Sequence, residues 1–155
     1  MAYLPLRSVS VSDSARDAYD TWLDGIDSAL EQPDCDRNEL CRKVLTELHF
    51  PQYAGLDPED VPEEARIALL HLDPRNVSLE PEYYHETDLE RYTPIKPLIW
   101  MWEMFDKSPV GENVHLGVLF RRMLAKRIFK SCGKNVKIFH HVKWLRYLKV
   151  LDDTP

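Results

Sequence analysis

Apolar side chains recur at helical spacing near the amino terminus, and this periodicity constrains the fold more than any other feature of the chain. Between residues 13 and 31 they return every three or four positions, while aspartates occupy the other side. Pro33 follows and ends the stretch. The pattern predicts an amphipathic helix whose buried face is made of Ala15, Ala18, Tyr19, Trp22, Leu23, Ile26, Ala29 and Leu30.

Polar caps and prolines predict where the next two helices begin and end. Asp36 stands three residues before Glu39, which is the spacing of a capping box, so a second helix is expected from this point. Pro62 suits the first position of a third helix, because proline at that position loses no hydrogen bond. Residues 73–74, Asp-Pro, should end it, since a residue before proline resists helical angles.

Residues 75–96 show few regular signals and are expected to form an ordered connection on the surface. A short helix should restart at Pro97 and stop at residues 108–111, Ser-Pro-Val-Gly. A last helix is expected over residues 114–130, with Gly133 as a left-handed cap. Its apolar face opposes a basic face of Arg121, Arg122, Lys126, Arg127 and Lys130.

The period of the apolar pattern changes after Gly133. Apolar and lysine residues then alternate, which is typical of a strand, with a break at residues 139–141. The predicted fold class is therefore mainly α, with four or five helices followed by a short β segment. We expect a helical domain in residues 1–130 and a separate segment in residues 131–155. The residues that carry the strand signal are Val136, Ile138, Val142 and Trp144.

The charge of the chain is strongly asymmetric. Residues 1–120 carry 24 acidic and 10 basic side chains, whereas residues 121–149 carry 10 Lys or Arg and no Asp or Glu. Such a basic arm can bind the phosphates of nucleic acid, an anionic membrane or a nucleotide-like cofactor. A charge run more often pairs with the rest of its own chain, so we expect internal pairing and consider nucleic acid an unfavoured partner.

Several classes of protein and site are excluded by what the sequence lacks. No apolar run approaches the roughly 20 residues of a membrane span, and the first residues do not form a secretory signal. No phosphate-binding glycine loop, nucleophile elbow or zinc-protease motif is present. We therefore expect a cytoplasmic protein without a membrane span.

The cysteines and most histidines show no metal-ligand spacing, so no metal site is expected. Three cysteines are too few for two disulfides and for a four-cysteine zinc site, and reduced thiols fit a cytoplasmic protein. The residues considered and set aside as ligands are His49, His71, His85, His115, Cys35 and Cys41.

His140 and His141 are the candidate catalytic residues, because imidazole titrates near neutral pH and can take a proton from a hydroxyl. On a strand, adjacent side chains point to opposite faces, so at most one of the two would face a given site. No orienting carboxylate lies beside them in the sequence; Asp152 and Asp153 are the nearest acids.

Residues 119–144, LFRRMLAKRIFKSCGKNVKIFHHVKW, resemble the start of the left-handed parallel β-helix in hexapeptide-repeat acyltransferases. Residues 72–111 look like the helical leader of a bacterial subgroup of that family, so the resemblance covers about residues 62–144. Val136 and Val142 are six residues apart, as the inward positions of such a coil require. The matching positions are Cys132, Gly133, Asn135, Val136, Ile138, Val142 and Trp144.

The resemblance implies transfer of an acyl group from acyl-CoA, as co-substrate, to a hydroxyl or amine of a small molecule or sugar. It implies no tightly bound cofactor, a histidine base, and a homotrimer where the β-helix is complete. Only about one turn of such a coil fits after Gly133, whereas the resemblance puts the catalytic histidine and the acyl-CoA groove on later turns. The activity is therefore expected to be incomplete in this chain, which is either the leader portion of such a protein or a shortened relative. The alternative is a non-catalytic interaction module, whose acidic helical half and basic arm bind a partner or a polyanion.

Overall fold

The computed structural model describes residues 7–142, which are mainly helical, as the apolar periodicity predicts. Short 3-10 turns fill the connections, at Pro51–Tyr53, Pro58–Asp60, Pro74–Asn76, Glu80–Tyr83 and Pro109–Glu112. Within the described range, none of the helices combines the length and apolar character that a bilayer crossing requires. The five α-helices are α1 (Asp13–Glu31), α2 (Arg37–His49), α3 (Glu63–Leu72), α4 (Leu89–Asp106) and α5 (Val114–Ile128).

Local side chains set the starts of the helices. Ser12 accepts a hydrogen bond from the backbone of Ala15 at the start of α1. Asp36 caps α2 as predicted, accepting from the two backbone N–H groups of residues 38 and 39. Pro62 lies one position earlier than predicted, as the residue that precedes α3, and Asp73 follows its last turn. Propensity and capping therefore define α1 to α3 closely.

Helix α4 corrects the prediction for residues 75–107. It begins at Leu89 and continues through Pro94 and Pro97, although each proline removes a backbone donor. From Ile95 onward its side chains are buried around nearly the whole circumference, because this part of α4 lies between α2 and α5 at the centre of the domain. Burial of this apolar surface offsets the lost hydrogen bonds. The buried side chains include Tyr92, Leu98, Ile99, Met101, Trp102 and Phe105.

Helix α1 packs its predicted apolar face mainly onto α5. The Trp22 ring stacks on Phe120 at 5.6 Å between centroids, and Phe120 stacks on Phe105 of α4 at 3.9 Å. Leu23, Ile26 and Leu30 are buried in the same core. The three helices thus share one aromatic layer.

The segment after α5 differs from the sequence prediction. Helix α5 ends at Ile128 because Phe129 has extended angles, and Gly133 does not adopt the left-handed cap conformation. Residues 131–142 contain turns at 134–135 and 140–141 and no strand, so the predicted β segment is not found in this range. The rest of that segment, including Trp144, lies outside the described residues. Ile138 and Cys132 pack partly against the helical core.

Candidate functional site

Arg121 is buried at the junction of α4, α5 and the segment that follows α5. Its side chain is 1% exposed, although the helical pattern places it on the basic, solvated face. Its Nε and Nη2 donate to Oδ1 of Asp106 at 2.9 and 2.7 Å. Nη2 also donates to the carbonyl of Gly111 at 3.0 Å, and Nη1 donates to that of Ile138 at 3.2 Å. The buried charge is therefore paired and fully engaged, as its burial requires.

Two glycines make room for this arrangement. A Cβ on Gly117 would lie 2.6 Å from Nη1 of Arg121. A Cβ on Gly111 would lie 2.5 Å from the carbonyl oxygen of Phe105 and 2.8 Å from Cα of Asp106. The 109–112 turn can therefore approach the end of α4 only with glycine at position 111.

His140 and His141 lie beside this junction in a turn, not on a strand. The Nε2 of His140 lies 2.5 Å from the carbonyl oxygen of Asp106, the last residue of α4. His141 has a left-handed backbone with φ of 69°. The two ring centroids are 3.5 Å apart, so the turn brings both imidazoles together instead of separating them as strand alternation predicts.

Glu112, which no sequence motif marks as a candidate, is a third member of this group. Its Oε1 lies 3.6 Å from Nδ1 of His140. One ligand atom from each of Glu112, His140 and His141 falls within 4.8 Å of the others. Within residues 7–142 this is the group of three potential metal ligands that the fold assembles, and the histidines and cysteines considered earlier do not join it. No sequence signal joins Glu112 to the histidines, because only the packing of its turn on α4 brings them together.

The hydrogen bond from His140 defines what its ring can do. Because a carbonyl can only accept, Nε2 carries the proton and donates to Asp106. Nδ1 then offers its lone pair to a proton or to a cation. His140, at 15% side-chain exposure, is fixed in one orientation, whereas His141 is exposed.

The basic side chains of α5 pair with acids of α1, as the prediction of internal pairing expects. Asp27 accepts from Arg127 at 2.7 Å and lies 3.0 Å from Nζ of Lys126. Arg127 also pairs with Glu31 at 2.6 Å. Burial raises the pKa of Asp27, but the hydrogen bonds from Arg127 and Lys126 outweigh it, so the pKa lies below its ordinary value. Part of the basic arm is thus engaged within the chain.

A second ionic cluster joins α2 to the turn after α3. Arg75 donates to Asp73 at 2.7 Å and pairs with Glu39, which also accepts from Arg42 at 2.8 Å. The hydrogen bonds from Arg42 and Arg75 lower the pKa of Glu39. Burial alone would raise the pKa of Asp73, yet the bonds from Arg75 lower it. The cluster links α2 to the turn after α3, and its acidic and basic side chains pair with one another.

The three cysteines are free thiols, as predicted. Burial raises the pKa of both Cys35 and Cys41, so neither thiol is activated as a nucleophile. Cys35 lines a groove of about 730 Å³ between the end of α1 and α2, remote in the sequence from the histidine turn.

Comparisons of the chain with protein-family models, curated proteins and solved structures find no match.

Proposed function

We propose that residues 7–142 form the helical leader of an acyltransferase of the hexapeptide-repeat kind. The protein transfers an acyl group from acyl-CoA to a hydroxyl or an amine of a small-molecule or sugar acceptor. The proposal rests first on the resemblance of residues 119–144, and the structure adds one observation that supports it. That observation is the way α5 holds the segment that carries the resemblance.

Two consecutive arginines of α5 bind alternate carbonyls of this segment. Arg122 Nε donates to the carbonyl of Val136 at 3.0 Å, and Arg121 Nη1 donates to that of Ile138 at 3.2 Å. These two hydrogen bonds anchor the segment on α5, and this anchoring is the observation that supports the proposal.

The chemistry of the proposed reaction needs one base. A histidine takes the proton of the acceptor hydroxyl, the oxygen attacks the thioester carbonyl, and the CoA thiol leaves. His140 and His141 are the candidates for this base in the chain, and at most one of them fills the role. The reaction requires no tightly bound cofactor, and the assembly proposed for it is a homotrimer.

The proposal is tested on the native polypeptide, purified from its source cells. Its intact mass shows whether it continues past Pro155, and peptide sequencing shows whether any continuation has hexapeptide spacing. Thiol release from acetyl-CoA with a panel of sugar and amine acceptors measures activity. We expect both the extension and acyl-CoA-dependent release. A native mass of 18.2 kDa without thiol release contradicts the proposal. A loss of release of about 10²-fold or more in only one of His140→Ala and His141→Ala identifies the base.

The second candidate is a non-catalytic interaction module. The observation that favours it is the apolar outer face of α3, where Ile67 is 80% exposed and Leu70 is 36% exposed. Two large aliphatic side chains three residues apart on a helix form one surface. If this surface binds a partner, Ile67→Glu should abolish capture of that partner, while Arg66→Gln on the same helix, which also lowers the charge by one unit, serves as the control. Identical captured proteins for both variants and wild type would remove this candidate.

A further inference from the structure

We propose that Glu112, His140 and His141 bind a divalent first-row transition-metal ion, with Zn²⁺ as the ion that fits best. The site shares His140 and His141 with the acyltransferase proposal, so an imidazole that binds the ion is not available there as the base. Imidazole nitrogen and carboxylate oxygen are ligands that Zn²⁺ takes, and three protein ligands with one open position are a frequent arrangement. The inference rests on the positions of the ligand atoms, on the hydrogen bond that orients His140 and on the backbone at His141.

The separation of His140 and Glu112 fits coordination better than a hydrogen bond. Nδ1 of His140 lies 3.6 Å from Oε1 of Glu112. An N–H···O hydrogen bond spans about 2.7–3.2 Å, so the two atoms are too far apart for one. Two ligands bound tetrahedrally at about 2.0–2.1 Å from zinc lie roughly 3.4 Å apart. A small shift of the exposed Glu112 side chain would bring the two atoms to that distance.

The lone pair that a metal needs is already directed into the cluster. Nε2 of His140 donates its proton to the carbonyl of Asp106 at 2.5 Å. Nδ1, the other ring nitrogen, faces Oε1 of Glu112 at 3.6 Å, so one metal ion between them can bind both atoms. Histidines that bind metals commonly donate their second nitrogen to a backbone carbonyl in this way, which fixes the ring.

His141 supplies the third ligand through an unusual backbone conformation. Its φ of 69° is the one positive value at a non-glycine residue within residues 7–142. Such a conformation costs free energy at a residue with a side chain, and structures keep it where surrounding contacts or function require it. Here the turn places the His141 ring 3.5 Å from that of His140, measured between centroids. One shared ion can therefore bind a nitrogen of each ring.

The surrounding charges allow a cation at this place. Arg121 lies nearby, but its charge is paired with Asp106 through two hydrogen bonds to Oδ1. The carboxylate of Glu112 is 73% exposed, so it can reach an ion without losing a buried partner. A bound ion would connect the 109–112 turn to the 140–141 turn. It would thus cross-link the segment that follows α5 to the amino-terminal side of that helix.

The test is direct binding of Zn²⁺ to the untagged 155-residue chain after treatment with a chelator. Isothermal titration calorimetry should show one ion per chain. Glu112→Gln and His141→Ala should each weaken binding about ten-fold or more, since each removes a ligand. His85→Ala, an exposed histidine outside the cluster, should bind as wild type does. Absence of binding, or equal affinity in all four proteins, overturns the proposal.

A Co²⁺ titration separates this site from the free cysteines. Coordination by two imidazoles and a carboxylate should give visible d–d absorption without thiolate-to-cobalt charge transfer. Charge transfer that is lost in Cys132→Ser or Cys35→Ser would assign the ion to the thiols and contradict the proposal. Neither ligand variant needs His140 to change, so the hydrogen bond to Asp106 is preserved and circular dichroism should show an unchanged helical fold.

Discussion

At the scale of single residues, Arg121 shows how one buried side chain organises three segments. It joins the end of α4, the 109–112 turn and the segment after α5 through four hydrogen bonds. Its guanidinium also lies 5.7 Å from the ring centroid of Phe105. Removing one partner of a buried ion pair leaves an uncompensated charge, which costs more than the pair itself contributes.

We therefore expect Arg121→Met to lower the free energy of unfolding by about 3–5 kcal/mol, because Asp106, whose side chain is only 11% exposed, would lose its cation. Urea denaturation followed by circular dichroism measures the change. The control is Arg122→Met, whose partner is the carbonyl of Val136. A loss no larger for Arg121 than for Arg122 would show that the buried pair does not hold the domain.

Gly117 is expected to be required for the position of Arg121. In Gly117→Ala the new methyl group would lie 2.6 Å from Nη1 and displace the guanidinium, at a cost of about 1–3 kcal/mol. Gly25→Ala is the matched control, because nothing lies within 4 Å of its Cβ position in α1. That change should stabilise the helix by up to about 1 kcal/mol. If the unfolding temperature falls in Gly117→Ala and rises in Gly25→Ala, the steric explanation is confirmed. A change in the same direction in both variants contradicts it.

At the scale of elements, α4 shows tertiary packing overriding local preference. Pro94 occupies an exposed interior position, where it removes the hydrogen bond to the carbonyl of Glu90. The helix continues because its other faces are buried between α2 and α5. Local preference would end the helix here, so its length depends on the neighbouring helices.

Pro94→Ala should accordingly raise the free energy of unfolding by about 1–2 kcal/mol, since it restores a donor and relieves the ring contact. The gain is reduced by the greater freedom of the unfolded chain, which is the opposing effect. Pro109→Ala, at the first position of a 3-10 turn, restores no helical bond and should be neutral or slightly destabilising. The denaturant midpoints of both variants measure these changes in stability. A lower midpoint for Pro94→Ala than for wild type would show that Pro94 does not destabilise α4.

The docking of α1 depends on Trp22. Its ring stacks on Phe120 and lies 6.5 Å from that of Phe105. Trp22→Ala should therefore cost about 3 kcal/mol or more, whereas Thr21→Ala on the exposed side should change little. Chemical denaturation of the two variants beside wild type tests this. A midpoint unchanged by Trp22→Ala would mean that α1 contributes nothing to the stability of the core.

At the scale of the whole molecule, acidic and basic regions are joined through ion pairs between helices. Asp27 pairs with Arg127 between α1 and α5, Glu39 pairs with Arg75 between α2 and the turn after α3, and Glu82 pairs with Lys96 of α4. Of these three pairs, that of Asp27 joins residues 1–120 to the basic residues 121–149, and the other two lie within residues 1–120. Ion pairs that cross between elements also make the stability of the domain depend on pH.

The pKa of Asp27, Glu39, Asp73 and Glu82 is lower in the folded chain than the ordinary values of 3.8 for Asp and 4.5 for Glu. A lowered pKa means that the unfolded state binds protons more readily. The stabilisation from these four carboxylates is present above about pH 4.5. It is lost as the pH falls through their lower pKa values in the folded chain. Urea unfolding at pH 7, 5 and 3 should show a loss confined to the last step. Equal stability at pH 3 and pH 7 would contradict it.

Local chemistry is sufficient for the first half of the molecule. The apolar period over residues 13–31, the cap at Asp36 and the break at residues 73–74 predict three helices, because each signal acts on its own backbone. The pairing of Lys126 and Arg127 within the chain also follows from the asymmetric charge. The acyltransferase function stays a prediction from the resemblance.

Contacts between distant residues account for what the pattern does not predict. Helix α4 passes two prolines because burial outweighs the lost bonds, and Arg121 is buried because Asp106 and two carbonyls surround it. Glu112 and His140 meet only because the 109–112 turn packs on the end of α4, with Gly111 at the contact. A periodic pattern shows which face of an element is apolar. Which residues of distant elements come into contact depends on how those elements pack, and only the tertiary structure determines that packing.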